Sequence, residues 1–201
     1  MKIAITGTSS GVGLELKRIL SQDHVVIGVE RKEVDLDDID QVLRYDVPYC
    51  DIFINCAGHD LGGKVPFLDH TDSHVVSILN ANLISPVLLS QKALQKNINC
   101  KIVNITSTNI HRYWGNDLIY TLSKESLSRF GHLIKIDHPK VRYLEVILGL
   151  TKTNFNINRH KANHKEIDNL YENAHLTTED AATKIVDVLF DDHIKRIEVT
   201  P

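Results

Sequence analysis

Short apolar runs alternate with longer segments of helical periodicity along this chain, and that alternation constrains the fold more than any other feature. The runs that predict strands are 2–6, 24–29, 51–55, 101–106, 141–148 and 195–199. The segments that predict helices are 12–21, 37–45, 72–95, 120–137 and 178–190. Strands joined by crossover helices run parallel and are covered on both faces. We therefore expect an α/β fold, a doubly wound parallel sheet of six to seven strands with helices on both faces.

The composition is that of an ordinary globular protein, with 42% apolar and 24% charged residues and a formal net charge of -3. We expect the 201 residues to form one domain, 1–201, because this length suffices to bury a core. The charge argues against a nucleic-acid partner, and the apolar runs are too short for a membrane span or a signal peptide. Three cysteines without metal-type spacing, Cys50, Cys56 and Cys100, predict a cytoplasmic protein.

The first predicted strand runs directly into the turn TGTSSGVG, residues 6–13, and a helical segment follows. Glycine tolerates positive φ and lets a ligand approach the backbone, while a helix N-terminus attracts phosphate. This order suits a dinucleotide bound to a Rossmann-like sheet, although a purely structural turn also explains the glycines. The candidate cofactor-binding residues of the turn are Gly7, Thr8, Ser9, Ser10, Gly11, Val12 and Gly13.

A second motif, YTLSK at 120–124, places a tyrosine and a lysine four residues apart in a predicted helix. Residues with this spacing share a helix face, so Tyr120 and Lys124 can reach the same point. One interpretation is that the tyrosine packs and the lysine extends to the surface from the core edge. The other is proton transfer: a free tyrosine has a pKa of about 10, and a nearby ammonium group lowers that pKa because it favours the phenolate.

Further motifs appear in a fixed order along the chain. They are NCAG at 55–58, Asn82 in NANLISP, Ser107 at the end of IVNITS, and LGLTKT at 148–153. Together with the glycine turn and YTLSK, they resemble the single-domain branch of the short-chain dehydrogenase/reductase family. The resemblance covers nearly the whole chain. It implies an oxidoreductase that transfers a hydride between NAD or NADP and a small alcohol or carbonyl substrate.

The resemblance also implies roles for particular residues. Ser107 would polarise the substrate oxygen, and Lys124 would also bond the nicotinamide ribose. For Ser107 alone, an ordinary polar strand end remains an open interpretation. The catalytic residues that the resemblance implies are Asn82, Ser107, Tyr120 and Lys124. Its implied cofactor contacts beyond the glycine turn are Asn55, Ala57, Gly58, Tyr120, Lys124 and Thr153.

Asn82 lies within the predicted helix 72–95, four residues before Pro86. Proline has no N–H and cannot bond the carbonyl of residue 82, so the helix should kink or loosen there. We expect the freed carbonyl to hold a water linked to Lys124, a relay that the family resemblance implies. A kink that serves only helix packing is the alternative.

The choice between NAD and NADP depends on the residues that follow the second predicted strand, namely Glu30, Arg31 and Asp35. Glu30 is placed to bond the adenosine ribose hydroxyls and to repel a 2′-phosphate, which favours NAD. Arg31 can accept that phosphate, which favours NADP. We expect NAD, because a carboxylate at the ribose is the harder obstacle. Asp35 resembles the family's adenine-side aspartate, or else belongs to the N-cap region of the next helix.

The chain departs from the family pattern in three places. Segment 30–50 leaves room for one short helix and a strand fragment near Val34, so the adenine pocket should be more open. Leu148 replaces the usual proline before Gly149, which leaves the turn to Thr153 less fixed. After the last predicted helix, we expect no counterpart of the C-terminal extension that the resemblance would imply. The resemblance implies a homo-oligomer, a dimer or tetramer, and pairing through helices 72–95 and 120–137 does not need that extension.

The substrate pocket is expected from segments 59–63, 109–114 and 154–175. Tyr113 and Trp114 would cover an apolar or ring-shaped substrate, or else pack their own loop. The basic tract 158–165 would attract an anionic substrate or form a solvated lid. Two histidine pairs, 70/74 and 160/164, lack a third ligand, so we expect no metal site.

Two alternative functions account for part of this sequence pattern. A non-catalytic NAD(P)-binding redox sensor would use the same fold, but it has no need of the serine, tyrosine and lysine together. An epimerase or dehydratase of the family's extended branch would need a substrate domain that 201 residues cannot supply.

Overall fold

The computed structural model describes residues 1–61, 63–113, 115–155, 171 and 175–201. These residues form a six-stranded sheet in the order β2-β1-β3-β4-β5-β6, and every neighbouring pair is parallel. The strands are β1 Lys2–Thr6, β2 Val25–Val29, β3 Ile52–Asn55, β4 Lys101–Ser107, β5 Arg142–Leu148 and β6 Arg196–Val199. The predicted α/β, doubly wound parallel sheet is confirmed.

Helices cover both faces of this sheet. They are α1 Gly11–Leu20, α2 Ile39–Arg44, α3 Asp72–Leu79, α4 Ser85–Lys96, α5 Leu118–Asp137 and α6 Thr178–Leu189. One face packs against α1 and α6 through Leu16 and Ile185, and the other packs against α4 through Leu89. Strands β3 and β4 are buried at every position, so neither has a solvent-facing side. The polar residues within β4 are hydrogen-bonded inside the fold, Asn104 to Tyr143 and Thr106 to Glu145.

The direction of chain progression reverses at β1. From β1 the chain moves outward to β2, and it then returns to β3 on the opposite side of β1. In a sheet of this kind the loops diverge where the strand order reverses, and ligands bind in the crevice at the carboxyl ends of the strands. The expected strand fragment near Val34 is absent; Val34 instead follows a turn and is buried, so β2 is the edge strand.

The predicted helix 72–95 is not a regular α-helix throughout. A π-helical turn, Asn80–Ile84, separates α3 from α4, and the Ser85 N–H bonds the Asn80 carbonyl. Pro86 follows at the start of α4, so the loosening lies where its missing N–H predicted it.

The same stretch, Asp72–Lys96, is long and apolar enough to cross a membrane by length and composition. Of its most apolar window, 44% is buried inside the fold. A core helix of a soluble protein passes the same test, so this stretch is weak evidence for a membrane span.

Candidate active site

A cavity of about 750 Å³ opens at the carboxyl ends of β1, β3, β4 and β5. Most of the predicted site residues line it, and Thr8, Asn55 and Asn82 do not. The predicted residues that line it are Gly7, Ser9, Ser10, Gly11, Val12, Gly13, Glu30, Arg31, Asp35, Ala57, Gly58, Ser107, Tyr120, Lys124 and Thr153. The structure therefore brings the glycine turn and the tyrosine–lysine pair, more than 100 positions apart in the sequence, to one cavity.

The fold itself requires the glycines of the turn, because side chains have no room there. Gly7 has φ +75, and a Cβ there would lie 2.9 Å from the Ala57 Cα. A Cβ on Gly13 would lie 2.3 Å from the Gly7 carbonyl oxygen, closer than atoms can approach. The first turn of α1 lines the cavity beside these glycines, so its amide dipoles can attract a pyrophosphate.

Thr6 holds the end of β3 against the glycine turn. Its Oγ1 accepts hydrogen bonds from the Cys56 and Ala57 amides, both at 3.0 Å. The neighbouring Asn55 side chain is 2% exposed and donates to Ser90 Oγ and Asn104 Oδ1, at 2.9 and 2.8 Å. Asn55 is thus part of a buried polar cluster, and the structure gives it a supporting place behind the cavity.

Ser107, Tyr120 and Lys124 line the same cavity. They are 8%, 8% and 6% exposed, at the end of β4 and on the first two turns of α5. Lys124 Nζ donates to the Ile105 carbonyl at 3.0 Å and lies 5.9 Å from the centroid of the Tyr120 ring. The Tyr120 ring also packs on Phe155, with centroids 5.5 Å apart. The end of β4 and the four-residue spacing of YTLSK on α5 therefore bring a hydroxyl, a phenol and an ammonium group to one cavity.

Burial lowers the pKa of Lys124 to about 8, because the ammonium has little solvent around it. The negative charge of an ionised Cys56, which lines the same cavity, would raise the pKa of Lys124 instead. Burial raises the pKa of Cys56 itself to about 11, so this thiol is neutral at pH 7.

Asn82 uses its side chain to hold the loop that follows β3. Its Oδ1 accepts from the His59 amide at 2.9 Å, and its Nδ2 donates to the His59 carbonyl at 2.8 Å. Nδ2 also donates to Ser123 Oγ on α5, at 3.2 Å. A Cβ on Gly58 would lie 2.7 Å from Asn82 Oδ1 and 3.4 Å from Lys124 Nζ, so Asn82 is close to the lysine without lining the cavity.

The end of the cavity beside β2 carries both signs of charge. Glu30 Oε1 accepts from Thr8 Oγ1 at 3.0 Å and lies 3.7 Å from Lys17 Nζ. The Thr8 hydrogen bond is the main reason that the pKa of Glu30 lies below its usual value. The exposed Arg31 guanidinium lies 3.6 Å from Asp35 Oδ1 and 4.0 Å from Asp37 Oδ2.

Two residues that line the cavity, Asp37 and Asp117, were not identified from the sequence as site residues, whereas His59 and Asn109 lie in the segments 59–63 and 109–114 expected to form the substrate pocket. His59 Nε2 lies 2.8 Å from Asp37 Oδ1, which ties the loop after β3 to the loop after β2. Asn109 and Asp117 also line the cavity, beside Ser107 and Tyr120. The available signal was an aspartate three residues before the YTLSK tyrosine, at a predicted helix start, but it reads as an ordinary N-cap.

Some predictions lie outside the described residues: Trp114, the basic tract 158–165 and the histidines of the 160/164 pair. Tyr113 is more than half exposed and its hydroxyl accepts from the Asn116 amide, which fits the loop-packing interpretation. Within the described ranges, no group of three or more His, Cys, Asp or Glu side chains could hold a metal ion.

Comparison with known proteins identifies the family. A family model described as short chain dehydrogenase matches residues 31–164, more than half of the chain. The NADP-dependent 3-hydroxy acid dehydrogenase of Schizosaccharomyces pombe is 25% identical over 92% of this chain and 85% of its own length.

Solved structures share the fold. The closed form of serine dehydrogenase complexed with NADP+ has a TM-score of 0.88 at 22% identity, covering 100% of this chain and 95% of that chain. The 4-hydroxyisoleucine dehydrogenase complexed with NADH has a TM-score of 0.82 at 19% identity, covering 98% of this chain and 96% of that chain. With its family model, its glycine turn and its buried serine, tyrosine and lysine in one cavity, the chain belongs to the short chain dehydrogenase family, the NAD(P)-dependent oxidoreductases of hydroxyl and carbonyl groups.

Proposed function

We propose that Tyr120 is the general acid/base of the reaction, giving its phenolic proton to the oxygen of a carbonyl substrate or taking the proton of a hydroxyl. The observation that carries this proposal is the meeting of Ser107, Tyr120 and Lys124 in one cavity with the glycine turn. When bound, a nicotinamide cofactor supplies or accepts the hydride at the substrate carbon. Ser107 donates a hydrogen bond to the same substrate oxygen and holds it beside Tyr120.

Lys124 makes this proton transfer possible near neutral pH. With a pKa of about 8, its amine is largely protonated at pH 7. Its positive charge, 5.9 Å from the Tyr120 ring centroid, favours the phenolate form. The Ile105 carbonyl holds the ammonium in place, and it comes from the strand that also carries Ser107.

The experiment that tests this function compares wild type with Tyr120→Phe on a panel of alcohols and carbonyl compounds. The panel includes 3-hydroxy acids, serine and 4-hydroxyisoleucine, because these compounds appear in the names of similar proteins. We expect turnover to fall at least 100-fold, because general acid/base catalysis supplies about 10² to 10⁴ in rate. The Kd for NADH, measured by fluorescence titration, shows whether the variant still binds the cofactor. Equal turnover in the variant would remove Tyr120 from this role. Cofactor binding with no turnover by wild type on any substrate would favour the redox sensor.

We further propose that NAD is preferred over NADP. The carboxylate of Glu30 is held by Thr8 beside the glycine turn, where it can accept from ribose hydroxyls and would repel a 2′-phosphate. Arg31, the residue that could accept the phosphate, lies near two carboxylates, Asp35 and Asp37. The relatives include both NADP and NADH complexes. A ratio of NADPH to NADH kcat/KM above one in wild type would overturn this preference, and Glu30→Ser should raise that ratio.

The backbone carbonyl of Asn82 is proposed to hold a water that links Lys124 to solvent. Support comes from the π-helical turn at this residue and from Pro86, which has no N–H to offer the carbonyl. The Asn82 side chain is occupied with His59 and Ser123, so it fixes the backbone of this region. If Pro86→Ala leaves the pH profile and turnover unchanged, the relay loses its main support.

Three broader expectations remain proposals: a single catalytic domain over residues 1–201, a cytoplasmic location and a homo-oligomer. The free thiols of Cys50 and Cys100, 3.7 Å apart without a disulfide, suit a reducing compartment. Exposed apolar side chains on α5, among them Leu122 and Ile136, suit pairing through the long helices. Sedimentation analysis of wild type and Leu122→Glu tests the last point, since a dimer built on α5 should dissociate in the variant.

A further inference from the structure

The hydroxyl of Ser107 sits against Asn109, two residues further along the chain. The Asn109 amide N–H donates to Ser107 Oγ at 3.2 Å, which occupies one lone pair of that oxygen. The Asn109 side-chain oxygen, Oδ1, lies 3.4 Å from the same Oγ. Among the residues that the structure describes, Asn109 Oδ1 is the acceptor for the Ser107 proton, and at this distance the bond is weak.

The orientation of the Asn109 amide follows from its other partners. Its Nδ2 donates to Asp117 Oδ2 at 2.8 Å and to Thr121 Oγ1 at 3.2 Å, which accounts for both of its protons. A flipped amide would turn its oxygen toward the Asp117 carboxylate, two acceptors face to face. Asp117 and Thr121 thus fix the amide with its oxygen toward Ser107.

Asp117 departs from the behaviour expected at its position. It is the N-cap residue of α5, where an aspartate side chain normally accepts from a helix amide, and it makes no such bond. Its carboxylate is instead 1% exposed, lines the cavity and bonds to Asn109. A residue that lacks the hydrogen bond typical of its position and lies beside a functional site indicates a role in that site.

We infer that Asn109, held by Asp117, is the positioning residue for Ser107. Its backbone N–H occupies a lone pair of Oγ, and its side-chain oxygen draws the Ser107 proton toward the cavity as a weakly held, ready donor. A substrate oxygen at the usual O–H···O distance of about 2.7 Å outcompetes the 3.4 Å contact, so the proton turns to the substrate with little loss. Asn109 and Asp117 act through Ser107 and need not touch the reacting atoms. This inference rests on the proposed role of Ser107.

A double-mutant cycle tests it with the intact protein, saturating cofactor and a substrate that wild type turns over. We expect Asn109→Ala to lower kcat about tenfold in the wild-type background, because a misplaced hydrogen-bond donor costs rate more than binding. In the Ser107→Ala background, the same change should lower kcat less than about twofold. A purely structural role would instead lower kcat equally in both backgrounds, and that result overturns the inference.

Asp117 supplies the matched pair of variants. Asp117→Asn keeps an acceptor oxygen for Asn109 Nδ2 and should retain most of the turnover, whereas Asp117→Ala should behave as Asn109→Ala does. Far-UV circular dichroism and the Kd for NADH report whether each variant is folded. Equal losses in Asp117→Asn and Asp117→Ala would also count against the inference. If Ser107→Ala itself keeps full turnover, the role of Ser107 fails, a result distinct from additive losses in the cycle.

Discussion

Replacing Lys124 with methionine should stabilise the cofactor-free protein at pH 7 while removing its activity. Each pKa unit corresponds to about 1.4 kcal/mol, so lowering the pKa of this amine from 10.5 to about 8 makes its charged form roughly 3 kcal/mol less stable in the folded protein than in the unfolded chain. Methionine removes that cost. It also leaves the Ile105 carbonyl without its donor, which costs about 1 kcal/mol. The expected net gain in the free energy of unfolding is about 2 kcal/mol.

The size of this effect depends on pH. Between pH 8 and 10.5 the unfolded chain still binds the Lys124 proton while the folded protein has released it, so raising the pH through this window favours the folded wild type. Below pH 8 both states are protonated and the full cost of the buried charge is present. Above pH 10.5 both are neutral, and the advantage of Lys124→Met should disappear.

Urea unfolding at pH 7 and pH 10, followed by far-UV circular dichroism without cofactor, measures the difference between the two proteins. Lys101→Met is the matched control, because Lys101 is equally buried but bonds the Leu189 and Asp191 carbonyls and lies 3.2 Å from Asp192 Oδ1. Its replacement should destabilise the protein. The reasoning is refuted if Lys124→Met is less stable than wild type at pH 7, or if the difference does not shrink at pH 10.

Three glycine substitutions give further predictions. Gly13→Ala should abolish NADH binding and lower the unfolding free energy, since its Cβ would lie 2.3 Å from the Gly7 carbonyl oxygen; fluorescence titration and urea unfolding measure both effects. Gly58→Ala should lower kcat at least tenfold, because its Cβ would push on Asn82 Oδ1 at 2.7 Å and approach Lys124 Nζ; unchanged kcat would show that this contact relaxes harmlessly. Gly131→Ala should destabilise the fold by about 2 kcal/mol or more, because its Cβ would overlap the Tyr143 ring; a melting temperature equal to that of wild type would contradict this.

The strands were predictable because burial on both faces leaves a strong signal. Strands β3 and β4 are buried at every position, and each contains a short apolar run, 52–54 in β3 and 102–103 with Ile105 in β4. The loosening before Pro86 was predictable for a local reason, the missing N–H of proline. The structure near Val34 was not, because a buried valine in a short segment fits an edge strand and a packed turn equally well.

The site was predictable where a motif fixes geometry by itself. The spacing of Tyr120 and Lys124 on a helix is such a case, and so is the turn between β1 and α1. The direction in which a side chain points is not fixed by its motif. Asn55 and Asn82 lie in matching motifs, yet their side chains bond Ser90 and His59 behind the cavity wall. These partners are far away in the sequence, so only the folded chain reveals them.

The two buried lysines, Lys101 and Lys124, differ in how far their surroundings compensate the charge. Burial lowers the pKa of Lys101 as well, but there an acidic neighbour, Asp192, and two carbonyl acceptors offset part of the cost of burying the charge. Within the described part of the chain, Lys124 Nζ has a single hydrogen-bond acceptor, and the nearby Cys56 thiol is neutral. An ammonium held this way is poorly compensated, which explains its lowered pKa and leaves its field to act on the neighbouring phenol. The instability expected from Lys124 and its proposed effect on Tyr120 thus have one cause, an ammonium buried without a carboxylate.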